Sequence, residues 1–283
     1  MLHEREFEFS MEQFNELAGV IYDLTGIVLK QQKYNMLYAR LTRRLRQLGF
    51  SDFSQYIELV KGSTAEEELS SLVNAVTTNL TRFFREKHHF RHMRNEVLRP
   101  LVNANKHIAG MAPSKKIRVW SAGCSTGEEP YTVAMTLAAS IPNIETWDVK
   151  ILATDIDANV LTTSKNGRYN QASVDTVPSV LAERFFHDTE DETLQEVDAS
   201  LKEMINFAHL NLMGDWPIKT QFDIIFCRNV LIYFDKAAHV RLVKEFKRHL
   251  KPGGLLCLGH AEALTAEGSG LTSLGQSMFQ KSS

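Results

Sequence analysis

A chain of 283 residues with 43% hydrophobic and 23% charged residues is composed like a globular protein of two domains, which excludes disordered, collagen-like and disulfide-built classes. A formal net charge of −2 argues against a generally basic nucleic-acid binder. The three cysteines, Cys124, Cys227 and Cys257, show no C-x-x-C spacing, which fits core positions in a reducing, cytoplasmic setting and gives no zinc signature.

In chain order, the first nine residues carry Glu4, Arg5, Glu6 and Glu8 where a signal peptide would be apolar. No later stretch approaches the length of a membrane span, so no membrane insertion is expected. Ser10-x-x-Gln13 reads as a capping box opening a helix with Phe14, Leu17, Ala18, Ile21 and Leu24 at helical spacing, and Gly26 is placed to end it. A second helix is predicted over 31–48, stopped by Gly49. Ser51 can cap a third containing Tyr56, Ile57 and Val60, and Thr64-x-x-Glu67 forms a further capping box before Leu69, Leu72, Val73 and Val76. A helix carrying residues 83–98 follows, and no strand is evident in this region. The weak periodicity of 103–116, with Gly110, Pro113 and Ser114, marks a linker between a helical domain of 1–102 and a second domain of 117–283.

From residue 117 the pattern changes to short apolar runs alternating with helices. Strands are predicted over 117–122, 149–154, 205–209, 222–227 and 255–258, with helices after the first, second and fourth. Such alternation implies a mostly parallel sheet with helices on both faces. Residues 166–204 are too many for a plain connection and read as a small inserted subdomain.

The first strand runs into Gly123-Cys-Ser-Thr-Gly127, followed by Glu128, Glu129 and a Pro130 suited to a first helical turn. In open α/β sheets, ligands lie beyond the carboxyl ends of the strands. Bare N–H groups at a helix start suit phosphate, but two carboxylates there repel phosphate and suit a cation. S-adenosylmethionine, which has a sulfonium, an amino group, a ribose diol and no phosphate, meets that requirement. Asp155 ends the second strand, where an acid accepts from ribose hydroxyls, and Asp157 reads as a spare or a helix cap. The loop also matches the G-x-S-x-G nucleophile elbow of esterases, with Asp223 and His260 downstream. Against that reading, Asp223 begins its strand and two carboxylates beside the elbow would oppose an oxyanion. A plain glycine turn on a generic sheet stays open for the loop taken alone.

Four segments together carry a resemblance: Asn79-Leu-Thr-Arg-Phe-Phe-Arg-Glu86, Trp120-Ser-Ala-Gly-Cys-Ser-Thr-Gly-Glu-Glu-Pro-Tyr131, Ala153-Thr-Asp-Ile-Asp157 and Phe226-Cys-Arg-Asn-Val-Leu-Ile-Tyr-Phe-Asp235. In this order they resemble the bacterial chemotaxis receptor methyltransferases, the CheR family, over nearly the whole chain. The resemblance implies a Rossmann-like S-adenosylmethionine-dependent methyltransferase domain with a small inserted β-subdomain, preceded by an all-helical domain. It implies methylation of glutamate side chains on chemoreceptors, leaving S-adenosylhomocysteine. Cofactor contacts carry over to Asn79, Thr81, Arg85, Glu128, Asp155, Asn211, Leu212, Arg228 and Asn229, although helix capping alone would explain Asn79 and Thr81. Where the family commonly has serine before a glutamate, this chain has Ala261 before Glu262. His88-His89 lacks a Cys or carboxylate partner at ligand spacing, so no metal is expected.

A substrate glutamate with a pKa near 4.3 is already a nucleophilic anion at neutral pH, so orientation and exclusion of water, and no general base, are what the site must supply. Tyr233 is placed to orient that carboxylate through a neutral hydrogen bond. Arg99 lies close to the position where the family has an arginine proposed for the same task. Tyr34, Leu37, Tyr38, Leu41, Leu45 and Leu48 share one helical stripe, and Lys33, Arg40, Arg43, Arg44 and Arg46 spread over the neighbouring face. Given the resemblance, that basic face is expected to be free to dock on glutamate-bearing receptor helices, and Arg40, Arg43, Arg44 and Arg46 are the candidate substrate contacts. Some family members also hold a tethering peptide from the receptor carboxyl terminus, a role open here to residues 166–204. The acidic run Asp188, Glu190, Asp191 and Glu192 within them reads as a solvated loop.

Overall fold

Ser10 opens the first helix, α1 (Met11–Thr25), with both bonds of a capping box: its hydroxyl accepts from the Gln13 N–H, and the Gln13 side chain accepts from the Ser10 N–H. Gly26 closes it in the left-handed conformation at φ 70°. The computed structural model describes residues 5–62, 66–107, 115–262 and 270–282. A short turn of 3-10 helix (Gln31–Lys33) leads into α2 (Tyr34–Leu48), which Gly49 ends as its position predicts. The cap of α3 (Phe53–Lys61) is Asp52, whose carboxylate accepts from Ser54 and Gln55 N–H, and not Ser51, whose own N–H is taken by the Gln55 side chain. Thr64, the expected cap of α4 (Glu66–Val76), lies outside the described residues. The four helices bury Phe14, Leu17, Ile21, Leu37, Leu41, Phe53 and Tyr56 in one apolar core.

Residues 77–87 form turns and extended chain in place of the expected helix. Phe84 and Glu86 stand at φ 53° and 55°, which no right-handed helix can contain. Helix resumes only at α5 (His88–His92), continues through a π-helical stretch (Met93–Leu98) and ends in α6 (Arg99–His107). Helix therefore covers the start of the expected linker, whose Gly110, Pro113 and Ser114 lie outside the described residues. Phe83, Phe90, Met93, Leu98 and Val102 pack into the core of the sheet and not against α1 to α4.

The sheet is built from β1 (Lys116–Ala122), β2 (Asp148–Asp155), β6 (Ile205–His209), β7 (Phe222–Cys227), β8 (Leu250–Leu258), β9 (Leu271–Gly275) and β10 (Met278–Lys281), in the order β6-β2-β1-β7-β8-β10-β9. Its first five positions are parallel, and β10 and β9 add an antiparallel edge. α7 (Glu128–Ser140), α8 (Ala158–Asn166) and α12 (Lys236–His249) make the crossovers. The β9–β10 hairpin was not expected, since Leu271, Leu274, Met278 and Phe279 are too sparse an apolar pattern to signal two strands. Between β2 and β6 lies the insert, with β3 (Arg168–Asn170), α9 (Gln171–Val174), α10 (Ser179–Phe185), β4 (Phe186–Asp188), β5 (Leu194–Val197) and α11 (Ala199–Lys202). Its strands form an antiparallel sheet in the order β3-β5-β4. Tyr169 and Phe186 meet the Phe83 ring edge-on at 4.9 and 5.5 Å, which ties the insert to the main core.

From β1 the chain proceeds outward through β2 to β6, and then returns to the other side of β1 as β7 and β8. That reversal opens a crevice beyond the carboxyl ends of β1 and β7. No helix among the described residues is long and apolar enough to cross a membrane.

The basic face of α2 is not free. Arg40 donates to the carbonyls of Ala75 and Thr77 at 3.0 and 2.6 Å, serving the carboxyl end of α4. Arg44 grips the buried Glu68 carboxylate through Nε and Nη2 at 2.6–3.1 Å. Arg46 pairs with Glu6 through Nε at 2.9 and 3.0 Å. Arg43 alone of the four is exposed with neither an ion-pair nor a hydrogen-bond partner among the described residues. These side chains reach across because α2 packs its apolar stripe on α4 and so brings its flanking arginines beside a helix end and a carboxylate. Replacing Arg44 with alanine leaves Glu68 buried and unpaired, and urea denaturation is expected to show a loss of about 2 kcal/mol. The exposed Arg43→Ala is expected to change stability by less than about 0.5 kcal/mol.

Candidate active site

Beyond β1 and β7 lies a cleft of about 1030 Å³ counted to its open mouth. Its floor is the glycine turn. Gly123 stands at φ 80° with Val230 packed where a Cβ would be, and Gly127 stands at φ 99° with the Ser164 Cβ and Tyr169 hydroxyl each 2.7 Å from its would-be Cβ. Any side chain at either position would push the loop away from the strand ends.

Asp155 closes β2, buried, and accepts from the N–H of Ser125 at 2.8 Å and of Asp157 at 3.0 Å. Burial pushes its carboxyl above the ordinary value despite those bonds. Asp157 caps α8 and also takes the Asn79 carboxamide and the Thr77 hydroxyl, both at 2.8 Å. This locks the 77–79 segment onto the second strand end, and the Asn79 carbonyl accepts from the Ser125 hydroxyl at 2.9 Å. Asn79 and Thr81 thus line the cleft as components of its wall. Asn211 lines it too, donating to the Leu24 carbonyl at 2.7 Å, beside Leu212. Ile27, Val76, Leu210 and Phe234 complete an apolar part.

At the end of β7, Arg228 is buried to 2% side-chain exposure. Its guanidinium donates to Glu129 at 3.0 Å and to the carbonyl of Arg85, and lies 3.4 Å from Glu86. The Ser121 hydroxyl donates to the other Glu129 oxygen at 2.7 Å. Burial alone would raise the Glu86 carboxyl, but Arg228 and His260 together hold it below its ordinary value. Glu129 stays raised, because burial outweighs its pairing with Arg228.

Of the two acids that open α7, Glu129 lines the cleft and the expected Glu128 does not. Successive helical residues point about 100° apart, so only one of the two can turn inward. Glu128 turns back to accept from the Thr126 hydroxyl at 2.6 Å. Arg99 is likewise misplaced as a substrate contact: it is exposed on α6, outside the cleft lining. It lies nine residues, about 13 Å of helix rise, beyond the Phe90 that does line the cleft. The arginine beside Tyr233 is Arg85, whose charge acts against the rise that burial imposes on the Tyr233 phenol. Tyr233 is half-buried, lines the cleft, and donates a long 3.4 Å bond to the Thr78 carbonyl.

The nucleophile-elbow reading fails on geometry. Ser125 donates to a backbone carbonyl, Asp223 pairs with Lys251 at 2.7 Å and with the Arg118 N–H at 2.8 Å at the start of β7, and His260 contacts Glu86. The expectation that His88 and His89 lack a carboxylate partner is also corrected. Glu86 brings a carboxylate oxygen within 4.8 Å of ring nitrogens on both. That carboxylate already faces the Arg228 cation, and both rings also approach the Gln276 carbonyl, at 3.3 and 3.0 Å. His89 is held neutral, its pKa lowered to about 4 by burial and by Arg228.

Arg82 and Phe90, which line the cleft, and Glu86, which faces Arg228 from the turn before α5, are residues to which sequence reasoning gave no role. The donor set fits S-adenosylmethionine: buried acids at the strand ends for its hydroxyl and cationic groups, asparagine side chains, and an apolar wall for a base.

Residues 12–77 match the family described as "CheR methyltransferase, all-alpha domain", and residues 79–278 match "CheR methyltransferase, SAM binding domain". The chain is 37% identical over 278 residues to a chemotaxis protein methyltransferase 2 of Pseudomonas aeruginosa, covering 97% of this chain and 95% of that one. It is 38% identical over 270 residues to the chemotaxis protein methyltransferase of Escherichia coli, covering 94% and 89%. A probable chemotaxis protein methyltransferase of Rhizobium etli is 38% identical over 250 residues, covering 88% and 91%. Matched along both its helical and its sheet-forming parts, the chain belongs to the CheR methyltransferase family and is an S-adenosylmethionine-dependent methyltransferase.

Proposed function

We propose that the chain, acting from the cytoplasm, methylates glutamate side chains of chemoreceptors, giving a glutamate methyl ester and S-adenosylhomocysteine. The observation that carries this reading is that Tyr233 and Arg85 line the same cleft, in a part of the chain that matches a cofactor-binding family domain. When bound, the cofactor would supply a methyl group on a sulfonium: the methyl C–S bond would break with its electron pair leaving on sulfur, and a substrate carboxylate oxygen would form the new bond to the methyl carbon. Asp155, Asn79, Asn211 and Asn229 bind, and the apolar wall excludes water.

No residue needs to remove a proton, since a glutamate is ionised at neutral pH. Tyr233 acts as a neutral donor: burial raises its phenol from the ordinary tyrosine value, away from neutral pH. Its weak bond to Thr78 is easily exchanged for one to a substrate carboxylate. Arg85 spends one donor on the Leu80 carbonyl at 2.9 Å and keeps the others for the same carboxylate. A full bidentate grip would draw charge from the nucleophile, so a divided arginine and a neutral phenol suit the task.

For receptor docking, Arg43 on α2 remains available, whereas Arg40, Arg44 and Arg46 serve the helical core first. The insert offers β3 and β4 as open edges of its small sheet, where an extended receptor peptide can add as a strand.

Tyr233→Phe is expected to lower turnover about 10- to 100-fold with cofactor affinity unchanged. The measurement is transfer of labelled methyl groups to receptor-rich membranes, with a base-labile product. Unaltered turnover would remove Tyr233 from the mechanism, and a base-stable product would overturn the ester. Arg43→Glu is expected to raise KM for receptor several-fold and leave kcat unchanged. An unchanged KM at low salt would dismiss α2 as a docking face.

A further inference from the structure

The segment that joins β7 to α12 carries Asn229 and Tyr233, and one side chain from another part of the chain holds it. Glu262 lies four residues past the end of β8, with only 3% of its surface exposed. Its Oε2 accepts from the N–H of Asn229 at 2.9 Å and of Gly259 at 2.5 Å, and its Oε1 accepts from the N–H of Ile232 at 3.3 Å. Its own N–H donates to the Gly259 carbonyl at 2.9 Å.

Two further features fit the chain around this carboxylate. Asn229 adopts φ 60°, an uncommon conformation for a side chain larger than glycine, which persists where surrounding bonds fix it. A Cβ on Gly259 would meet the Asn229 N–H, the Asn229 carboxamide and Glu262 Oε2, all at 2.7–2.8 Å, so the corner closes only with glycine there. The pocket is thus built for an anion fed by backbone donors.

We propose that Glu262 is a positioning residue of methyl transfer, fixing the corner from which Asn229 faces the cofactor and Tyr233 the substrate. This rests on the roles proposed above for those two residues. Glu262 does not line the cleft; it acts through the chain it ties. Because one carboxylate serves both ends of the corner, it couples cofactor affinity to substrate orientation. An amide in its place cannot do this. Whichever way Glu262→Gln is turned, its NH₂ meets a backbone N–H, at Asn229 and Gly259 or at Ile232.

The test uses the purified full chain as E262Q, Y233F and the double variant, reading kcat for receptor methylation and the Kd of S-adenosylhomocysteine by calorimetry. E262Q is expected to lower kcat about tenfold or more and to weaken product binding severalfold while still melting cooperatively. In the Y233F background, its further cost in kcat is expected to fall below about twofold, because the hydroxyl it positions is gone. Unchanged kcat and Kd, or the same fold-loss of kcat in both backgrounds, would overturn the proposal. Should Y233F alone leave kcat unchanged, the orienting role of Tyr233 fails, and the Kd of E262Q then decides the cofactor half by itself. If E262Q does not fold, E262D, which withdraws the carboxylate by one methylene, is read by the same criteria.

Discussion

One buried guanidinium organises the catalytic end of this molecule. Arg228, the residue after the end of β7, binds Glu129 from α7, the Arg85 carbonyl and Glu86 from the turn segment, and lies 5.5 Å over the Phe90 ring of α5. A charge withdrawn from water to this degree is tolerable only while its partners stay in place. The turn segment, the sheet and the first crossover helix are therefore coupled. Losing either acid would leave Arg228 under-compensated, and losing Arg228 would leave two buried acids with raised demand for protons. Glu86 holds its left-handed backbone next to the Arg85 carbonyl that Arg228 grips, local strain of the kind that persists where surrounding contacts fix it.

This coupling bears on how the two parts of the chain share one site. Asn79, Thr81 and Arg85 precede the sheet in sequence, yet they wall a cleft whose floor is made by strand ends. Asp157 holds the Asn79 end of that wall and Arg228 holds the other. The helical core in turn leans on the catalytic corner, with the Val28 N–H donating to the Tyr233 carbonyl at 2.8 Å and the Tyr22 hydroxyl to Asp235 at 2.7 Å. A receptor bound to the helical part would thus touch a structure that is continuous with Tyr233.

Much of the fold was legible because its signals are local. The Ser10 capping box, the glycine stops at Gly26 and Gly49, the alternating strands and the Gly123–Gly127 turn each depend on residues a few positions apart, and each stands where the spacing places it. What escaped depends on partners remote in sequence. Nothing near Arg44 or Arg46 announces Glu68 or Glu6, so a helix face that is occupied reads as a free one. Glu128 and Glu129 are indistinguishable as letters, and only the phase of α7 decides which turns inward. Phe83 to Glu86 has helical composition, but its backbone is set by Arg228, Thr132 and Tyr169 across the fold. Arg85 and Arg99 illustrate the same limit: proximity to Tyr233 is settled by where a helix begins, fourteen positions apart in sequence.

The reaction itself accounts for the character of the cleft. An enzyme that must activate its nucleophile needs a base with a pKa near the working pH, and such a base must be reachable by water or substrate. Here the acids at the strand ends are buried and committed: Asp155 to two backbone N–H groups, Glu129 to Arg228 and Ser121, Glu262 to the corner of Asn229. None is poised to exchange protons at the mouth. The groups that are loosely held, the Tyr233 hydroxyl on its 3.4 Å bond and the unspent N–H groups of Arg85, can donate to an anion. A site with fixed acceptors within and spare donors at its rim matches a chemistry in which a bound cation has an anion aligned against it. The rigidity of the buried acids is then what makes that alignment reproducible, since each holds a backbone segment and leaves only the substrate-facing donors free to adjust.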